Sequence, residues 1–203
     1  MENDGVEKNK AVFFDRDGTI IKLAYYEDAE TIDTVSKPEQ VELTPDIGEV
    51  LRYLKGLGYL LIVVSNQPRI GIKKLTPAMF EGIRQKFNEE LLKGGVKLDK
   101  EYYCFHHPFA SIEKYRKECR CRKPGIEFFI RAEKEFNIDL AKSWTVGDGV
   151  NDILAGYKAG TKTILIANLL ESAYLSILEE KLQGVKPDFI VKKPKEIIKI
   201  IKE

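Results

Sequence analysis

Five short, nearly continuous apolar runs recur along the chain with longer amphipathic stretches between them, and this rhythm constrains the fold more than any other feature. Lys10–Phe14 (KAVFF), Tyr59–Val64 (YLLIVV), Ser143–Val146 (SWTV), Thr163–Ala167 (TILIA) and Asp188–Val191 (DFIV) read as strands, with Tyr102–Cys104 a weaker sixth. A strand wetted on one face alternates polar and apolar residues. One covered on both faces does not, and such strands belong to parallel sheets flanked by helices. Thr44-Pro45 and Thr76-Pro77 place a capping side chain before a proline suited to the first helical position, and Gly58, Gly94 and Gly160 stand where helical periodicity stops. A last helix is expected over Pro194–Lys202, with Ile197, Ile198, Ile200 and Ile201 facing inward. The expectation is an α/β, three-layer, doubly wound, mostly parallel sheet. With no internal repeat and no linker rich in Gly, Ser or Pro, residues 1–203 are read as one domain.

Charge and length exclude several function classes. Lys and Arg total 33 against 32 Asp and Glu, so the net charge of +1 supplies no long-range field for nucleic acid or anionic lipid. No apolar run nears the ~20 residues that span a bilayer, and the polar opening MENDGVEKNK does not read as a secretory signal. A cytoplasmic protein without a membrane partner is expected. At 43% hydrophobic over 203 residues, the chain has enough core to fold without disulfides.

In open parallel sheets ligands bind beyond the carboxyl ends of the strands, so the residue ending each apolar run is the one to inspect. KAVFF runs into Asp15, YLLIVV into Ser65-Asn66-Gln67, and SWTV into Gly147-Asp148. The first end is the sharpest, because Asp15-Arg16-Asp17-Gly18-Thr19 places two carboxylates where a glycine lets the chain turn. Such a pair can divide labour between nucleophile and general acid and base. Their mutual repulsion calls for a cation, and an all-oxygen donor set that includes Asp148 suits Mg²⁺.

These residues resemble the first motif of the haloacid dehalogenase superfamily, most of whose members are Mg²⁺-dependent phosphohydrolases. The other three motifs follow in order: Ser65 at the end of the second run, Lys123 opening a helix in Cys121-Arg122-Lys123-Pro124, and Gly147-Asp148 with Asp152. The resemblance implies Asp15 as nucleophile, Asp17 as acid and base for the leaving group and water, and Ser65 and Lys123 as holders of the phosphoryl oxygens. It implies Mg²⁺ on the Asp15 carboxylate, the Asp17 carbonyl and Asp148, with Asp152 orienting that shell.

All three cysteines and both histidines fall between residues 104 and 121, as Cys104-Phe105-His106-His107 and Cys119-Arg120-Cys121. Two short-spaced ligand pairs closed by a loop suit a tetrahedral structural Zn²⁺ on Cys104, His106, Cys119 and Cys121, with His107 the competing ligand. A zinc loop over about 104–121 would pin the chain that delivers Arg122 and Lys123 to the rim.

D-R-D-G-T-I, S-N-Q, C-F-H-H-P and C-R-C-R-K-P are together similar to the phosphatases of D-glycero-D-manno-heptose 1,7-bisphosphate, and histidinol-phosphate phosphatases share most of the pattern. The likeness covers roughly residues 10–165. It implies a small phosphorylated metabolite as substrate, contacted by Asn66, Gln67 and Arg122, with Arg122 gripping the phosphate that is not cleaved. Three departures stand out: Gly149 where a Lys usually follows Asp148, a longer stretch from Lys22 to Leu43, and Pro68-Arg69 after S-N-Q. Arg69 is one candidate to restore the missing charge. The segments between motifs are too short for a full cap domain, so an open site and a monomer are expected. Competing readings are a histidinol-phosphate or other small phosphomonoesterase, a phosphatase of polynucleotide ends, and a zinc-loop module binding nucleic acid. The absence of an aromatic-basic stripe counts against nucleic acid.

Overall fold

A computed structural model describes residues 7–167 and 180–202. The six apolar runs become strands of one sheet: β1 (Ala11–Phe14), β4 (Leu60–Asn66), β5 (Lys100–Cys104), β6 (Trp144–Gly147), β7 (Lys162–Ile166) and β8 (Phe189–Val191). Their order is β5-β4-β1-β6-β7-β8, and every neighbouring pair is parallel. From central β1 the chain first builds outward through β4 and β5, then crosses back to build β6, β7 and β8 on the other side. That reversal opens a crevice at the carboxyl ends of β1 and β6.

Alternate residues of β1 and β4 feed two cores, which is why the strands read as unbroken apolar runs. Val12, Phe14, Leu61 and Val63 pack under α1 (Ile47–Gly56) and α2 (Pro77–Lys93), through Ile47, Val50, Leu51, Leu54, Ile83, Phe87 and Leu91. Ala11, Phe13, Ile62 and Val64 meet Phe129 and Ala132 of α3 (Glu127–Phe136) and Ala155 of α4 (Val150–Ala159). Phe13 and Phe129 pack with ring centroids 4.7 Å apart. Each buried Val, Leu, Ile or Phe among them contributes roughly 1.5–3 kcal/mol, which holds the sheet rigid beneath the crevice.

Two helix boundaries differ from expectation. Thr76 caps α2 as its sequence context implies, its Oγ1 accepting from the Met79 amide at 3.1 Å. The Thr44-Pro45 pair does not start α1, because Asp46 turns through a left-handed φ of 65° and interrupts the helical path, so that the helix begins at Ile47. The terminal helix is shorter than Pro194–Lys202. A single 3₁₀ turn at Pro194–Glu196 leads into α5 (Ile197–Ile200), and Ile197 and Ile201 reach the core.

The long stretch after motif I holds an element that periodicity does not reveal, an antiparallel hairpin of β2 (Ala24–Tyr26) and β3 (Thr31–Asp33). Its cross-strand pair Tyr25 and Ile32 is exposed, so its sequence carries no burial signal.

Candidate active site

Strand polarity gathers the motif residues on one rim. Asp15 leaves β1 with its amide bonded to the Val146 carbonyl of β6 at 2.9 Å, and Asp148 leaves β6 beside it. Carboxylate oxygens of Asp15, Asp148 and Asp152 lie within 4.8 Å of one another. Gly18 makes this approach possible. Its φ of +83° suits glycine, and a Cβ there would sit 2.1 Å from Asp148 Oδ2. Burial, reinforced by Asp15 and Asp152, pushes the Asp148 carboxyl up to about 8, and burial lifts Asp152 to about 6 despite Lys123.

Lys123 answers these charges from the other side of the crevice. Its ammonium, 4% exposed, donates to Asp15 Oδ1 at 2.7 Å and Asp152 Oδ1 at 2.6 Å, and also to the Val64 carbonyl. Burial opposes its charge, but Asp15 and Asp152 outweigh that and hold its pKa above the ordinary lysine value. Lys123 does not open a helix, contrary to the expectation from sequence. It lies in the turn before α3, followed by a cis peptide bond to Pro124. Asn66 holds it there: the Asn66 side-chain amide donates to the Lys123 carbonyl (3.1 Å) and accepts from the Lys123 backbone amide (2.9 Å). Both ends of this Asn are therefore committed to backbone. Asp152 Oδ2 also accepts from the Gly149 amide at 3.0 Å, so one carboxylate caps α4 and steadies the lysine.

Asp17 faces a different set of partners. The Arg16 guanidinium forks onto it through Nε and Nη2, both at 3.1 Å, and Gln67 Nε2 donates to the same carboxylate at 2.5 Å. Gln67 also reaches Ser65 Oγ at 3.0 Å, and both residues are buried. Burial pushes the Asp17 carboxyl above the usual range, against the opposing pull of Arg16. The Arg122 side chain, half-buried, donates through Nη1 to the His106 carbonyl at 3.4 Å. Arg69 is bound into the hairpin base, donating to the Thr34 carbonyl and Oγ1 at 2.6 and 3.0 Å. Gly149 presents no side chain toward the rim.

The cysteine cluster closes as its spacing implies. Sulfur-to-sulfur separations among Cys104, Cys119 and Cys121 are 3.3–3.5 Å, and His106 Nδ1 lies 3.6 Å from Cys104 and 3.3 Å from Cys121. A tetrahedron with Zn–S bonds of about 2.3 Å has edges near ~3.7 Å, so the four atoms need to move only slightly to fit. His107 is turned elsewhere, its Nδ1 accepting from the Phe109 amide at 3.2 Å. Sequence reasoning missed Arg16, because an arginine between two aspartates reads as solvated, and no local pattern marks it as buried.

Comparison with known proteins settles the family. The haloacid dehalogenase-like hydrolase family matches residues 23–160, a span that includes Ser65, Lys123 and Asp148. The chain belongs to this family. It is 38% identical over 157 residues to the D-glycero-beta-D-manno-heptose-1,7-bisphosphate 7-phosphatase of Escherichia coli O6:H1, covering 76% of this chain and 78% of that protein. The Salmonella typhi protein of the same name is 39% identical over 76% and 79%. Among solved structures, a putative HAD-like phosphatase from Mesorhizobium loti aligns with TM-score 0.71 and 26% identity over 89% of both chains. The D,D-heptose 1,7-bisphosphate phosphatase of B. bronchiseptica, complexed with magnesium and phosphate, aligns with TM-score 0.73 over 94% and 97%. At 21% identity, that last likeness speaks for the fold alone.

Proposed function

We propose that this hydrolase is a Mg²⁺-dependent phosphatase that removes the C7 phosphate of D-glycero-D-manno-heptose 1,7-bisphosphate. The observation that carries the chemistry is the meeting of Asp15, Asp148 and the buried Lys123 ammonium at the mouth of β1. The oxygen donors of Asp15 and Asp148, drawn together by the missing Cβ of Gly18, fit Mg²⁺ together with the Asp17 carbonyl. When bound, the ion neutralises charge on the transferring phosphoryl group and lowers the repulsion that the nucleophile meets. Asp152 supports that shell through Lys123 and the start of α4.

Asp15 Oδ attacks phosphorus in line, and the bond from phosphorus to the sugar oxygen breaks to leave an aspartyl-phosphate. The leaving alkoxide takes its proton from Asp17, whose burial favours the protonated form needed for that donation. Asp17 then accepts a proton from the water that releases phosphate and regenerates Asp15. Lys123 and Ser65 hold the equatorial oxygens through both steps. Four donors at Cys104, His106, Cys119 and Cys121 fit Zn²⁺ as a structural ion, within a single phosphatase domain. The zinc loop steadies the chain that carries Arg122 and Lys123.

The heptose assignment draws on the names of the relatives and on Arg122, a guanidinium whose one hydrogen-bond partner among the described residues is a carbonyl at the long distance of 3.4 Å. A second reading, a histidinol-phosphate or other monoester phosphatase, is favoured by Gly149, which offers no cation where those relatives usually carry lysine. Steady-state kinetics on heptose 1,7-bisphosphate and heptose 7-phosphate separates the two. Arg122→Ala should lower kcat/KM for the bisphosphate by about 10- to 150-fold, the ~1.5–3 kcal/mol of a lost charge-assisted bond, and should matter far less for the monophosphate. Equal kcat/KM for both substrates in the wild type would overturn the bisphosphate assignment and leave the monoester reading.

A further inference from the structure

Arg16 is the largest fully buried side chain in the described protein, 1% exposed, and it stands between two residues of the catalytic loop. Burying a guanidinium costs several kcal/mol unless its charge is matched. Here one carboxylate matches it, in the two-point geometry that fixes both position and rotation: Nε and Nη2 each donate to Asp17 at 3.1 Å. Aromatic rings surround the guanidinium as well. Its carbon lies 5.6 Å from the Phe80 ring centroid and 5.5 Å from that of Tyr103, and those two rings meet edge to face at 5.0 Å. Phe80 comes from α2 and Tyr103 from β5, so the arginine is seated on the rigid sandwich while its fork reaches the reacting end of β1. Nη1 is buried with no hydrogen-bond partner among the described residues, a polar cost with no return in stability.

A structural salt bridge of this kind is poorly explained by stability alone, since an apolar pair of similar volume would serve the core as well or better. We infer that Arg16 is a positioning residue for Asp17: it fixes the rotamer from which Asp17 gives its proton to the leaving oxygen and takes one from water. Without the fork, Gln67 alone would tether the carboxylate, through a single bond that leaves it free to rotate about its own axis. The loss then falls on proton transfer, and loose geometry at a general acid is costly because the proton must be delivered along one line. This rests on the reading of Asp17 as acid and base proposed above.

The test compares leaving groups. p-Nitrophenolate departs without a proton, whereas an alkoxide does not, so a defect in proton delivery spares p-nitrophenyl phosphate and hurts a sugar phosphate. Arg16→Lys keeps the charge but loses the fork. Phe80→Leu removes one face of the seat without touching the Arg16–Asp17 pair. Asp17→Asn is the reference, and circular dichroism verifies that each variant is folded. The result is read in kcat/KM, because that ratio covers the steps up to departure of the leaving group and leaves out the water attack common to both substrates. The expected result is that Asp17→Asn and Arg16→Lys both lower it for the sugar phosphate more than for p-nitrophenyl phosphate, with the ratio of the two values shifting about 10- to 100-fold for Arg16→Lys. Phe80→Leu should shift it in the same direction by less. Equal losses on both substrates in Arg16→Lys and Phe80→Leu, beside a discriminating Asp17→Asn, would overturn the positioning role and leave Arg16 structural. If Asp17→Asn itself fails to discriminate, the fault lies with Asp17 as general acid, and the inference falls with it. Should Arg16→Lys not fold, the substrate ratio in Phe80→Leu decides between the same two outcomes.

Discussion

Replacing Lys123 by Met should turn the site from a balanced charge cluster into a frustrated one, with a pH signature that can be worked out in advance. In the folded protein one buried ammonium serves Asp15 at 2.7 Å and Asp152 at 2.6 Å, with Asp148 close by. Methionine has similar volume and no charge, so the change leaves carboxylates in a dry crevice without their cation. Breaking a buried pair this way costs about 3–5 kcal/mol. In the wild type, Asp148 is lifted to about 8 and Asp152 to about 6, both far above an unfolded aspartate near ~3.9. A native state that binds more protons than the unfolded chain loses stability as pH rises. The metal-free wild type should therefore become less stable between about pH 4 and pH 8. The pKa of Lys123 is raised, so its own contribution is complete below an unfolded value near ~10.4 and flat across that window. In Lys123→Met the penalty should be larger near about pH 8 than near about pH 5, where Asp148 and Asp152 accept protons in place of the ammonium. Urea denaturation in a chelator at both pH values reads this directly, and added Mg²⁺ should recover part of the loss. Equal stability of variant and wild type near pH 8, or a penalty that does not change with pH, would refute the electrostatic account of the cluster.

Three further outcomes follow from named contacts. Asp15→Asn should reduce Mg²⁺-dependent phosphate release to below a few per cent of wild type while leaving the circular dichroism spectrum unchanged, with deamidation excluded by mass spectrometry. Cys119→Ser should lower both the zinc content measured by elemental analysis and Tm, because the shell of three thiolates and one imidazole loses a member. Gly18→Ala should weaken Mg²⁺ more than 10-fold, on the order of 1.4 kcal/mol or more, in a calorimetric titration, since its new methyl would sit 2.1 Å from Asp148 Oδ2 at a φ that alanine avoids. An unchanged Mg²⁺ affinity in that variant would show that Asp148 can move aside without cost.

Much of this architecture is local and so is legible along the chain. Burial on both faces leaves an unbroken apolar run, as in β1, β4 and β6, whereas the two edge strands are covered less, with β5 half-buried and Phe189 and Ile190 of β8 exposed; all six are parallel strands in the structure. The rule that ligands sit at the carboxyl ends of such strands then points to Asp15, Ser65 and Asp148 without any knowledge of how the strands are ordered. Cysteine and histidine spacing foretells the four-residue cluster as well, since ligands two residues apart must share one small region. The hairpin at Ala24–Asp33 stays hidden for the converse reason: a strand pair that buries little leaves no hydrophobic period.

Tertiary structure decides who pairs with whom. Lys123 meets Asp15 across 108 residues of chain, and nothing near either residue says so. Asn66, expected from the sequence to contact substrate, clamps the backbone of Lys123, and Gln67 bonds Asp17 and Ser65. His106 and His107 are adjacent and chemically alike, and only the path of the loop turns one ring toward the thiols and the other away. Arg16 has the composition of a surface residue, yet α2 and β5 close over it and leave Asp17 as its counter-charge. Local sequence specifies which groups a turn carries and which way a strand runs. The choice among competing donors depends on distances between segments far apart in the chain, and those exist only once the layers have packed.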